Sequence, residues 1–581
     1  HCQNVCPPAD ARYTAPMSDD PPEESPAQEN PLEDAPAPGI SPRLAGYLCP
    51  PIGILLHWRA HQSELAKKIF SSIGLLVYTI LYIGIGVFLL KATGKVAIDW
   101  PGYGWPPRLA WAAPPPSTAD WGKTTQAIDT NASGLWAGFR GPNRDGYYTG
   151  PSIRTNWDQS PPRQVWKTSV GGGHSSMTIA QGLVFTLEQW KEGEAVTAYN
   201  TADGQGVWKH VHGGTFNDNY GMGGEGPRST PTWDEGRLYA LGAEGHLSCH
   251  DAATGEMLWE KNVLEENETR NLQFGICASP LVVGEKLIVT AGAKARGRNT
   301  VIAYNKMTGE VIWKSSRGTQ AYMSPMLVTL AGREQLLITA GRELMGLSIG
   351  DGELLWDHRW TVSYDNNIAQ PIVVGDDQVF ISAGYNKGCA LLQITRKDDE
   401  FGVKELWKND HLKNKFTSSV LHEGHLYGLN DQDDKQAVLV CLEAATGAEK
   451  WRGEDYGHGQ LLLAGKHLII LSETGEIALV KASADSFQEI ARLNAISGKT
   501  WNNPAIAGGR LYIRNGTQMA CYDISKDSAG GSAPVFINPS ESVQIIAAGL
   551  GLMLLLGGTG LLAIVKLRGE PAASPTAPED A

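Results

Sequence analysis

The sequence predicts an all-β chain: an eight-bladed β-propeller of four-stranded blades, closed by an N-terminal strand and flanked by two transmembrane helices. Three observations predict it. A twelve-residue pattern ending in tryptophan recurs five times without gaps. A strand–turn–strand unit recurs eight times, about 40–55 residues apart, the length of one blade. Two uncharged apolar runs bracket these repeats.

The gapless pattern ends at Trp208, Trp259, Trp313, Trp356 and Trp451. Four residues earlier stands a glycine: Gly204, Gly255, Gly309, Gly352 and Gly447. Eight earlier the residue is polar: Asn200, Asp251, Asn305, Ser348 and Glu443. Ten earlier it is small: Ala198, Cys249, Ala303, Gly346 and Cys441. The polar residue ends a strand and bonds its own turn. The glycine supplies the positive φ of a tight hairpin. The tryptophan brings a large apolar surface with one N–H to anchor. The small residue is expected to let neighbouring sheets approach. Cysteines thus fall on core positions, Cys521 in ACYD included. The eight cysteines form no CxxC, CxxCH or adjacent pair, so they are read as packing residues and no metal site is assigned.

The strand–turn–strand copies begin at Ser175, Ser229, Ala278, Met323, Ala369, Thr417, Gly459 and Asn502. Copy five carries an insertion, ITRKDDEFGVKE, before Trp407. Copy seven has no tryptophan, and SFQEIARLN serves as its outer strand. The last copy stops at CYDI with three strands, while PPRQVWKTSV, with Trp166, is a fourth strand with no blade before it. Joining the two completes blade 8 and hides both sheet edges. The competing count is seven blades. The docking set is then Trp166, Trp208, Trp259, Trp313, Trp356, Trp407 and Trp451.

Residues 69–90 and 543–565 are uncharged runs long enough to cross about 30 Å of hydrocarbon. Basic residues precede the first (Arg43, Arg59, Lys67, Lys68) and follow the second (Lys566, Arg568), which places both termini in the cytoplasm; Lys91 and Lys95 oppose this bias. The expected location is the bacterial inner membrane, with the propeller on the periplasmic side. Trp100, Trp105 and Trp111 lie where indoles favour the interface. The remaining divisions are a disordered acidic, proline-rich tail (1–42), a basic juxtamembrane segment (43–68), an extended Pro/Trp-rich linker (91–134), the propeller (135–525), a second linker (526–542) and a short cytoplasmic tail (566–581). Met17 is read as the true start. The net charge of -13 argues against a nucleic-acid partner.

The pattern Ala/Cys-x-Asp/Asn-x-x-Thr/Asp-Gly-x-x-x-Trp resembles the docking motif of the pyrroloquinoline-quinone-like repeat family, over about residues 135–525. The opening WAGFRGPNRDG (136–146) and GPRSTP (226–231) resemble membrane-anchored propellers of planctomycete type, similar to the propeller lipoprotein of the outer-membrane β-barrel assembly machinery. This chain departs from that lipoprotein in its two predicted spans. The family holds non-catalytic scaffolds and quinoprotein dehydrogenases alike. The dehydrogenases keep their quinone under a vicinal disulfide, beside calcium and an aspartate base. The disulfide pair is absent, and no motif here matches the other ligands.

The residues just before each innermost strand crowd around the axis of a propeller. Among them His174, Arg228, Tyr322, Asn366, Lys415, His458 and Trp501 form the candidate ligand-binding set. They suit an anionic or planar polar ligand. Arg228 is equally suited to bonding turn carbonyls. His174 and His458 come from different blades with no evident carboxylate partner, so neither is read as a metal ligand. No catalytic residue is assigned. The expected function is a non-catalytic scaffold with an envelope protein partner, held to the lipid bilayer by its two spans. The alternative is a membrane-bound alcohol or sugar dehydrogenase using pyrroloquinoline quinone with calcium.

Overall fold

The computed structural model describes residues 96–99, 108–111, 121–122, 127–128, 134–218, 223–290, 300–315, 322–432 and 436–528. Both apolar runs, the two tails and the second linker after Ser528 lie outside the described residues. Among the described residues, no helix is long and apolar enough to cross a membrane.

Eight antiparallel sheets follow one another around a ring. Blade 1 is Thr178–Ala180, Leu183–Trp190, Gly193–Asn200 and Gly206–His212, bonded in that order from axis to rim. Blades 2 to 7 repeat this meander, and the eightfold count excludes seven. The copy-five insertion is a long hairpin, Gly388–Lys397 with Glu400–Asn409. Blade 7 ends on Glu489–Asn494 within the predicted segment. Blade 8 takes Ala505–Ala507, Arg510–Arg514 and Gln518–Asp523 from the end of the repeat and Arg163–Ser169 from its beginning. Trp166 stands opposite Cys521 in that pairing. Within the segment expected to be an extended linker, Val96–Asp99 pairs antiparallel with Arg108–Trp111.

The tryptophans hold blade to blade. Trp166 Nε1 donates to Thr201 O at 2.8 Å, Trp208 to Ala252 O at 3.1 Å and Trp407 to Ala444 O at 3.0 Å, each in the next blade's turn. Trp259, Trp313 and Trp451 repeat the bond to Lys306 O, Ile349 O and Ser483 O. Trp356 is the exception: its N–H goes to Gln335 Oε1 at 2.6 Å within its own blade. The next blade there carries the long hairpin in place of the repeat turn, so no turn carbonyl is offered.

The repeat glycine has a second duty. A Cβ at Gly204 would lie 2.6 Å from the Trp166 ring, and one at Gly255 2.5 Å from Trp208. Any side chain would collide with the indole of the preceding blade. The small residue corrects the expectation in another way. Ala198, Cys249, Ala303, Gly346 and Cys441 lie directly opposite the tryptophan of their own sheet. They make room for their own indole rather than for a neighbouring sheet.

The seam between blades 8 and 1 carries a buried polar latch. Arg514 donates to Thr186 Oγ1 (2.5 Å), Leu187 O (3.1 Å) and Gly171 O (3.0 Å). Glu188 accepts from Gly171 N (2.9 Å), Thr197 Oγ1 (3.0 Å) and Tyr199 OH (2.8 Å). Ring closure therefore rests on the Trp166 strand and on the hydrogen bonds that Arg514 makes across the seam. Trp166→Ala is expected to lower unfolding free energy by about 3–5 kcal/mol, read from urea denaturation. A change below about 1 kcal/mol would mean that the closing strand contributes little.

Candidate functional site

Each innermost strand runs from one face of the ring to the other. The loops before these strands gather at the first face. The segment 134–148 crosses the axis near the second and acts as a plug. Trp136 exchanges backbone bonds with Ile179 of blade 1 at 2.9 Å, and Ala137 O accepts from Trp233 N of blade 2 at 2.8 Å. Arg144 donates to Ser279 O (3.0 Å) and Pro280 O of blade 3 and to Pro325 O of blade 4 (2.9 Å). Arg140 reaches Ser419 O of blade 6 (3.0 Å) and Leu461 O of blade 7 (3.2 Å). Tyr147–Tyr148 adds a short parallel strand to blade 7, and the Tyr148 hydroxyl accepts from Gly509 N of blade 8 at 3.0 Å. Innermost strands leave carbonyls without a ladder partner on the axis side, and guanidinium groups supply the missing donors. Burial pulls the Arg144 pKa down to about 9; Arg140 falls to about 10, with Asp145 offsetting part of the burial.

At the opposite face His174, Asn366, Lys415, His458 and Trp501 are linked through Phe416 and Tyr385, while Arg228 and Tyr322 pack on Phe216 and Phe274. His174 Nε2 lies 2.6 Å from Gly223 O. Arg228 donates to Gly224 O (2.6 Å) and Gly226 O and lies over Phe216 at 4.6 Å. Tyr322 packs against Phe274 (5.8 Å between rings), and its backbone N–H donates to Asn367 O. Asn366 Nδ2 donates to the Tyr385 hydroxyl at 3.2 Å. Lys415 Nζ stands 5.3 Å from the Tyr385 ring and 5.4 Å from Phe416. Phe416 packs on Trp501 (4.7 Å) and His458 (5.3 Å), and Trp501 on His174 (5.6 Å). Arg228 thus takes the turn-bonding role.

The histidines differ in charge. Burial, with Arg228 nearby, drives His174 down to about 3, so it is neutral. At His458 burial also opposes charge, but hydrogen bonds donated to the Asp431 and Glu473 carboxylates outweigh it and raise the pKa to about 9. This corrects the expectation of no carboxylate partner. His458 Nε2 lies 2.8 Å from Asp431 Oδ1, and Glu473 Oε2 accepts from the His458 backbone N–H at 3.0 Å. Burial alone would raise the Glu473 pKa; bonds from His458 and Trp501 instead bring it to about 2. Trp501 Nε1 donates to Glu473 Oε1 at 2.9 Å, and Lys499 Nζ stands 3.3 Å above the indole. Asp431 and Glu473 were missed because they lie at the end of a second strand and in the turn after one, positions that reach the same face. Lys499 lies just outside the window before its strand. Arg140 and Arg144 were missed because WAGFRGPNRDG fits no blade position; that misfit was the available signal.

Among the described residues, no three His, Cys, Asp or Glu side chains converge as a metal site. The ring carboxylates Asp431 and Glu473 are bound to His458 and Trp501. This donor set does not fit a calcium-held quinone.

A profile of the family described as outer membrane protein assembly factor BamB matches residues 192–453. The chain is a β-propeller similar in sequence to BamB. Over 334 residues, 55% of this chain and 77% of the relative, it is 24% identical to BamB of Burkholderia pseudomallei. Over 388 residues, 61% and 86% respectively, it is 21% identical to BamB of Shewanella oneidensis. A shorter stretch of 150 residues, 25% of this chain and 20% of the relative, is 26% identical to the quinohemoprotein alcohol dehydrogenase of Comamonas testosteroni. Among solved structures, a europium-containing methanol dehydrogenase matches with TM-score 0.50 at 12% identity, covering 66% of this chain and 90% of that one. That likeness speaks to fold alone.

Because the folded state holds His458 charged above its ordinary pKa of 6.5, its stabilisation is full below that value and is lost as pH rises through about 9. His458→Gln is therefore expected to flatten the loss of stability between pH 6 and 9.5. The wild-type excess should be on the order of 2 kcal/mol, read by urea titration at both pH values. Parallel curves for the two proteins would refute the charged clasp.

Proposed function

We propose that this BamB-like propeller is a non-catalytic binding scaffold of the bacterial envelope, tethered to the inner membrane by residues 69–90 and 543–565. On this reading the propeller lies on the periplasmic side and holds an envelope polypeptide at the face carrying Arg228 and His458. The observation that carries it is the state of that face. Its histidine, carboxylates and arginine are engaged with one another or with turn carbonyls, as in a rigid recognition surface. The similarity to proteins named as outer membrane assembly factors points the same way. The two uncharged runs support the tether.

The full chain, expressed in a Gram-negative host, is expected to float with inner-membrane vesicles and to resist carbonate extraction. Photocrosslinkers at Lys415 or Trp501 should trap a discrete envelope polypeptide. Extraction by carbonate would remove the tether; crosslinkers there that trap nothing would remove the binding face. The dehydrogenase reading is checked on the same preparation. Pyrroloquinoline quinone and calcium are expected to give no bound-quinone absorbance and no dye reduction with alcohols or aldoses. Turnover there would overturn the scaffold.

A further inference from the structure

One arc of the ring face holds an unusual backbone. In the loop before blade 5, Tyr364 and Asp365 have φ of 61° and 57°, and in the adjoining turn Tyr385 and Asn386 have φ of 56° and 59°. Bulky residues avoid this left-handed region, and such strain persists only where surrounding structure enforces it. Here the enforcement is visible. Arg342 Nε donates to Asp365 Oδ1 at 3.0 Å, and the Tyr385 hydroxyl accepts from Asn366. The result is an aromatic pair with rings 6.2 Å apart, edge to face. Tyr385 packs inward under Lys415, while Tyr364 is 78% exposed. This strained backbone holds a tyrosine mostly in water and gains the fold little beyond that edge-to-face contact.

The charge around this arc is biased. Arg342, Arg359, Lys387 and Lys408 stand at the same ends of blades 4 and 5. Burial together with Lys408 and Arg359 holds Lys387 below the ordinary lysine pKa, and Glu405 offsets only part of that repulsion. Asp365 is bound to Arg342, and Glu343 lies opposite Arg359 on the neighbouring strand. The local field at Lys387 remains positive in a chain whose net charge is -13.

We propose that the Tyr364–Tyr385 arc, with Arg342 and Lys387, is a docking point for an extended, carboxylate-rich polypeptide segment of a partner. Tyr364 stacks on the segment, and the cations meet its carboxylates. This deepens the scaffold reading and rests on it. Aromatic and arginine side chains dominate binding at such contacts.

The test uses the full chain in detergent and a fluorescein-labelled peptide of alternating glutamate and proline, followed by anisotropy. Wild type is expected to bind, with affinity falling at least tenfold in Tyr364→Ala and in the Arg342→Ala/Lys387→Ala double variant. Tyr364→Gly relieves the backbone and should keep or raise the thermal midpoint while losing the peptide, which separates recognition from folding. Lys466→Ala, in the exposed turn between the first and second strands of blade 7 at the plug face, should leave binding unchanged. Loss in Lys499→Ala with retention in Tyr364→Ala would overturn the arc but leave a ring-face scaffold. No binding by wild type, or capture of phosphatidylglycerol vesicles in preference to the peptide, would overturn the proposal outright.

Discussion

The ring depends on one contact: an indole lying in the space that the next blade's turn leaves by having glycine there. The contact has two parts that fail together. The glycine has no Cβ, so the ring plane can lie against the backbone, and the indole N–H then reaches a turn carbonyl of the same loop. Each blade is only four strands deep and cannot cover both of its faces alone. The indole both covers apolar surface and fixes the angle to the next sheet. Repeated at five of the eight seams, it makes the stability of those blades conditional on their neighbours. Closure by the Trp166 strand is therefore an energetic requirement as well as a topological one.

Much of this was legible because it is periodic. Trp208, Trp259, Trp313 and Trp451 share one spacing, and the incomplete last blade announced the early strand that completes it. The small residue was located correctly but misread, because spacing along a strand does not say which neighbour a side chain faces. Its true partner, the tryptophan across the same sheet, appears only in the register. The candidate ring was legible through a rule about loops before innermost strands. Asp431 and Glu473 obey no such rule. Their arrival beside His458 is a consequence of blade geometry, and nothing local marks them. Arg140 and Arg144 act on carbonyls, which every residue possesses, so no partner motif exists to be found.

The two faces use charged side chains in opposite ways. At the plug, arginines stand alone among carbonyls and pay desolvation to bind backbone that would otherwise lack donors. At the ring face, charges of both signs are interleaved with aromatic rings, and each pKa is moved by a named neighbour. The first arrangement ties blades together regardless of their sequence. The second is specific to the identity of each side chain, which is the property a recognition surface needs.

The crossing segment has one more consequence. Because 134–148 grips blades on opposite sides of the axis, the chain bars the middle of its own wheel on that side. On the proposed scaffold reading, a partner segment is held as an end or a loop and is not threaded through.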